Sequence, residues 1–263
     1  MSNSPFDPDN DPAQVAAAKA AAAAQRGADK DLLAEDDAIR AQMIANPAVP
    51  RDAATLILYR LDADGPRILM GCRSAGHDFM PDKYVFPGGR VDEEDVLAPT
   101  LTELLPDQDE VLRIDAQRPA RAYPLTAIRE MFEETGLIVG RASAPMANVP
   151  ASWTDYYAQG VAPCLQPFTF VGRAIKKPIS HQRFDARFFM ANANDALIDD
   201  RAPVDGHELA DLRWFTLKEA GELDLPNVTR FVISEVEARL VRGEVLRPFH
   251  LYWSEAGHVR SRL

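Results

Sequence analysis

Residues 129–136 read Arg129-Glu130-Met131-Phe132-Glu133-Glu134-Thr135-Gly136. On a helix, Glu130, Glu133 and Glu134 share one face, where like charges three or four residues apart each cost about 0.2–0.5 kcal/mol. Ile128, Met131 and Phe132 fall on the apolar side, so the helix packs into a core while pointing its carboxylates at a common spot. If that spot is partly enclosed, Coulomb's law at an effective dielectric near 20 gives roughly 3 kcal/mol of repulsion for each pair about 5 Å apart. Such a cluster demands raised pKa values or a cation. Hard divalent ions, Mg²⁺ or Mn²⁺, prefer oxygen ligands and couple carboxylates to phosphates. The bland alternative is a solvated acidic helix face. An arginine, three glutamates and a glycine at fixed offsets are too constrained a set to arise by accident in 263 residues.

Outward from this helix, read over 124–135, strands and helices interleave without a regular βαβ repeat. Strands are expected at 53–60 (AATLILYR), 67–73, 166–175, 186–191 and 210–216, and further helices at 151–159 and 227–241. The last helix places Val228, Phe231, Val232, Val236 and Leu240 on one face. The pattern implies a mixed α/β or α+β sandwich rather than a Rossmann sheet. Residues 1–50 read as an appendage, with a disordered acidic start and helical composition over 13–45 that Pro47 and Pro50 stop. The domain is expected over 51–245 with a C-terminal tail over 246–263. Segment 96–123, which carries Pro99, Pro106 and Pro119, reads as an insertion.

The net charge of −11 argues against nonspecific binding to nucleic acid or anionic membranes. Two cysteines in no CxxC arrangement suggest neither a disulfide framework nor a zinc site, and a cytoplasmic protein is expected. The start MSNSPFDPDNDP is acidic where a secretory signal is basic, and no apolar run reaches membrane-spanning length. None of the five histidines shows ligand spacing. Trp153, Tyr156 and Tyr157 form an aromatic cluster that reads first as packing and second as a base-stacking surface.

Residues 129–137 resemble the second half of the Nudix box, GX5EX7REUXEEXGU, with Met131 at the bulky aliphatic position. In FPGGRVDEED, Gly89 takes the place of the box glycine, and Asp95 stands where the pattern has glutamate. Glu93, Glu94 and Asp95 are the candidate partners of Arg129. Between Asp95 and Arg129 lie 33 residues where the pattern has seven, which matches the insertion at 96–123. The resemblance is to a Nudix branch with insertions inside the box, coenzyme A diphosphatase-type members and their bacterial relatives. It covers roughly 52–240 and implies an α/β/α sandwich with a mixed sheet.

The resemblance further implies Mg²⁺- or Mn²⁺-dependent hydrolysis of a diphosphate in a small nucleoside diphosphate derivative: coenzyme A-like, ADP-ribose or a dinucleotide. Glu130, Glu133 and Glu134 would hold the metal, with a backbone carbonyl near Gly88 or Gly89. Arg129 would fix carboxylate rotamers, and Glu130, Glu133 and Glu208 are candidate bases. Arg73, Arg183, Gly88 and Gly89 would bind substrate, with Arg187 a weaker candidate for phosphate. In the related coenzyme A signature, Asp78 replaces an arginine and Asp82 a glycine, which weakens that substrate. The rival reading is a catalytically silent Nudix-like ligand sensor or interaction module. The N-terminal helix and residues 246–253 are candidate contacts of a homodimer.

Overall fold

The computed structural model describes residues 49–74, 82–176, 183–254 and 257–263. The N-terminal appendage, Asp78, His77 and His181 lie outside the described residues. Strand β1 (Arg51–Asp62) turns at Thr-free DADGP into β2 (Gly65–Arg73), and this antiparallel hairpin begins the sheet. Along β1, Ala54, Leu56 and Leu58 enter one apolar cluster and Ile57 another, the alternation expected of a strand buried on both faces. Short β3 (Tyr84–Val85) pairs with β2, and β4 (Gly88–Arg90) pairs with β1.

The inserted segment carries helix α1 (Pro106–Leu112) and leads into α2 (Ala122–Thr135), the carboxylate-bearing helix. Helix α2 starts two residues before the expected position, and Gly136 ends it with φ 69 and an N–H donated to the Phe132 carbonyl. A small two-stranded sheet, β5 (Arg141–Ala142) with β6 (Val161–Ala162), follows. Between them the helix expected over 151–159 is broken: one 3₁₀ turn over Ala151–Trp153 passes into a single α turn, α3 (Thr154–Tyr157). Gly160, at φ 71, closes that turn, which leaves no room for a longer helix.

Strands β7 (Thr169–Ile175) and β8 (Phe184–Asn192), the single turn α4 (Ala193–Ala196), β9 (Leu209–Thr216), α5 (Leu217–Glu222) and α6 (Asn227–Leu240) complete most of the domain. Residues read from sequence as a tail add β10 (Phe249–Ser254) and β11 (Gly257–Arg262) to the same sheet. Phe249 there is fully buried. The order is β11-β10-β7-β8-β1-β2-β3, with β4 also on β1 and β9 on β2. β1 and β8 run parallel, as do β10 and β7, among otherwise antiparallel pairs, so the sheet is mixed. One face packs on α2, Trp153 and Tyr156, the other on α6, giving an α/β/α sandwich. No helix among the described residues is long and apolar enough to cross a membrane.

The insertion is docked rather than loose. Ala98, Leu112, Ala120 and Tyr123 are buried, and Arg121 donates to the carbonyls of Val96 and Ala98. That docking brings the two ends of the insertion, Asp95 and Arg129, into contact.

Candidate active site

Asp95 is the centre of the local structure. Fully buried, it accepts five hydrogen bonds: from Asp92 N (2.9 Å), Thr126 Oγ1 (2.7 Å), Trp153 Nε1 (3.0 Å), and Arg129 Nε (2.8 Å) and Nη2 (3.1 Å). A buried carboxylate survives only when its lone pairs are satisfied and its charge is met, and this one has both. Of Glu93, Glu94 and Asp95, Asp95 is therefore the partner of Arg129. Glu94 instead accepts from Ser152 N and Oγ, both at 2.8 Å, and ties the 3₁₀ turn to the same loop.

The guanidinium of Arg129 is divided among acceptors. Nη2 also donates to the Arg90 carbonyl at 3.0 Å, and Nη1 lies 2.8 Å from Glu130 and 2.9 Å from Glu133. One arginine thus serves three carboxylates. Among the described residues, Glu134 accepts only the Gly88 N–H, at 2.8 Å, and it is buried. Burial pushes the Glu130 carboxyl up to about 7, against the pull of Arg129. Burial, reinforced by the charge on Glu130, holds Glu134 well above the usual carboxylate range. Glu133 is raised as well, by burial first, although its side chain is 47% exposed.

Strand β4 makes this crowding possible. Gly88 has φ 153, and a Cβ there would lie 2.4 Å from the Ala54 carbonyl oxygen. A Cβ on Gly89 would lie 2.4–2.5 Å from the Glu130 carboxylate. Only glycine lets the strand press its backbone against α2. Arg73, at the end of β2, faces the same region, where its positive charge opposes the raised pKa of Glu134 and the charge of Glu208 adds to it.

The other candidate phosphate contacts are held by the fold itself. Arg187 is 1% exposed and bound to Asp52 (3.0 Å) and Asp185 (3.3 Å), with its guanidinium over the Tyr123 ring at 3.8 Å. It is a buried structural cation, because a desolvated guanidinium is stable only inside such a cage. Arg183 donates from Nε to the Lys176 carbonyl at 2.9 Å, at the start of β8. Asp82, at the glycine position of the coenzyme A signature, has φ 59, so the left-handed backbone is kept without the glycine. The aromatic cluster is packing: Trp153 and Tyr156 are buried, Tyr156 donates to the Val139 carbonyl at 2.7 Å, and Tyr157 donates to that of Pro99. Nothing in the spacing of 95 and 153 signals the indole bond to Asp95.

A divalent cation fits the chemistry of this donor set. Asp95, Glu130 and Glu133 share the Arg129 guanidinium, Glu134 lies beside them on Gly88 N–H, and burial first, then mutual repulsion, holds the three glutamates at raised pKa. Among the described residues, no three acidic, histidine or cysteine side chains converge into a ready-made cage. Glu130 and Glu133 are drawn to Arg129 instead.

No family model and no curated protein matches this chain. Among solved structures it is similar to a Nudix hydrolase from Alicyclobacillus acidocaldarius, with a TM-score of 0.55 and 24% identity, covering 74% of this chain and 95% of that one. It is also similar, with a TM-score of 0.42 and 18% identity, to a MutT Nudix hydrolase from Burkholderia pseudomallei, covering 72% of this chain and 99% of that one. The first likeness establishes the fold: the described domain is a Nudix-type sandwich.

Proposed function

We propose that the chain hydrolyses a diphosphate linkage in a nucleoside diphosphate derivative, using Mg²⁺ or Mn²⁺. The observation that carries this reading is the crowded, buried carboxylate pair of Glu130 and Glu134, pressed against the glycine backbone of β4. Glu130, Glu133 and Glu134 would hold the cation, with the backbone at Gly89. When bound, such an ion neutralises a diphosphate and lowers the pKa of coordinated water.

The remaining roles belong to the chain. Arg129, anchored on Asp95, orients Glu130 and Glu133 and keeps α2 in register with β4. Arg73 supplies positive charge next to Glu134 and would meet a substrate phosphate. Glu130, with its carboxyl near neutrality, and Glu208 are the candidate proton acceptors. Phosphoryl transfer asks mainly for positioning and charge stabilisation, and the buried Asp95 hub supports the former.

The test is product analysis by ion-exchange chromatography after incubation with Mg²⁺ or Mn²⁺ and coenzyme A, ADP-ribose, NADH or diadenosine polyphosphates, with Glu134→Gln as control. Metal-dependent cleavage that the variant loses supports the reading and names the substrate class. Cleavage that Glu134→Gln retains in full overturns the metal-ligand role. Silence across the panel from a folded protein favours a ligand sensor.

A further inference from the structure

On the flank of α2 that also carries Arg129 and Glu133 lies a cleft of about 470 Å³, walled on one side by Ser152, Asp155 and Tyr156 and on the other by residues 204–206. That volume lies within the ordinary range for small-molecule sites, about 300–1,000 Å³. Both walls are fixed in place. Val204 N donates to the Thr135 carbonyl at 2.9 Å, and Asp205 accepts from Asp211 N (3.0 Å) and Leu212 N (2.9 Å). Opposite, Ser152 is held by Glu94 and Trp153 by Asp95. A cleft whose walls are already hydrogen-bonded loses little entropy on binding.

The lining chooses between the two ends of a nucleotide. Glu133, Asp155 and Asp205 place three carboxylates around it, and its arginine, Arg129, is already engaged by Asp95, Glu130 and Glu133. A phosphate would be repelled there. Phe132, half-buried and edge-on to Tyr156 at 5.6 Å, gives the cleft an apolar aromatic surface. An aromatic ring with N–H donors on its edge suits both features. Among the carboxylates, Glu133 is taken by Arg129 and Asp205 by two backbone amides, whereas the Asp155 carboxylate accepts no hydrogen bond from the described residues. It is the open acceptor.

We propose that this cleft takes the nucleobase of the substrate and that Asp155 selects a base bearing an exocyclic amine. The inference rests on the diphosphatase reading, because Arg129 and Glu133 join the cleft to the carboxylate cluster where the diphosphate would lie. Base and diphosphate of one ligand then straddle α2.

Binding can be measured without turnover, by titrating the full chain in EDTA with AMP and with purine riboside 5′-monophosphate, which lacks only the amine. Wild type should bind AMP about tenfold more tightly, the size of a hydrogen bond to a charged acceptor. Asp155→Ala should bring the ratio close to one without changing affinity for the amine-free ligand. Equal affinities in wild type, a ratio that survives Asp155→Ala, or no saturable AMP binding would each overturn the inference. Diphosphate hydrolysis without selection for the amine would sink this inference alone. Amine selection by a protein that cleaves nothing would sink the hydrolase reading and leave the cleft assignment standing.

Discussion

Asp95 holds Arg129 through two parallel hydrogen bonds, 2.8 Å at Nε and 3.1 Å at Nη2, across 34 positions of chain. The pair closes the insertion on itself and sets the position of α2 against β4. Removing one partner leaves the other charge buried, at a cost of about 3–5 kcal/mol. Asp95→Ala should lose that much in urea unfolding, and a loss below about 1 kcal/mol would show that the pair does not organise the domain.

Asp95→Glu restores the residue of the box pattern and should nonetheless destabilise. Asp95 is fully buried beneath Thr126 and Trp153, so the extra methylene has no space and overpacking costs about 1–3 kcal/mol. Equal or greater stability of the glutamate variant would mean that the loop can yield to it.

The carboxylate cluster makes the metal-free protein pH-sensitive in a defined direction. The folded-state pKa of Glu130 is raised to about 7 from 4.5, so its contribution to stability is whole below the unfolded value and lost as pH climbs through the folded one. At about 1.4 kcal/mol per pH unit, the full loss is about 3 kcal/mol. In EDTA, Glu130→Gln should therefore match wild type near pH 4.5 and exceed it by about that amount at pH 8.5. Mn²⁺ should narrow the gap by stabilising wild type more than the variant. Melting curves across pH with and without metal check this, and a gap that ignores pH contradicts it.

The two glycines of β4 should respond differently. Gly88→Ala meets the backbone of Ala54 and Thr55 at a left-handed φ, so the strand must shift, and thermal stability should fall by several degrees. Gly89→Ala meets the movable Glu130 carboxylate first, so the fold should hold while Mn²⁺ affinity drops at least tenfold. Titration of Mn²⁺ by electron paramagnetic resonance, beside circular dichroism, separates the two outcomes.

At the other face of the sheet, buried Glu235 accepts from Arg239 (2.9 Å), Arg260 (2.7 Å) and Arg262 (2.6 Å). Truncation after Pro248 removes two of the three arginines and strips Phe249 from the core. The shortened chain should lose at least 3 kcal/mol and move into the insoluble fraction on expression. Soluble expression with an unchanged melting temperature would show that the last two strands are dispensable.

The helix of 122–135, its apolar side and its crowded carboxylates were legible in the sequence because they obey local rules, 3.6-residue periodicity and glycine termination. So were the long strands β1, β2, β7, β8 and β9, whose apolar residues run or alternate along each strand. Three things were not legible. The break between the 3₁₀ turn and α3 follows from packing Trp153 under Asp95, a contact 58 positions apart. The last two strands, read as a tail, gain their hydrogen bonds from β7 and their charge balance from Glu235, both distant in sequence. Arg187, a weaker candidate for phosphate, is claimed by Asp52 across 135 positions. By itself the sequence determined that carboxylates would crowd on one helix face, since spacing alone decides that, while the glycine pair beside them was implied only by the Nudix resemblance. Only the tertiary structure decided which of them Arg129 serves, because a guanidinium has few donors and burial selects the acceptors it can reach.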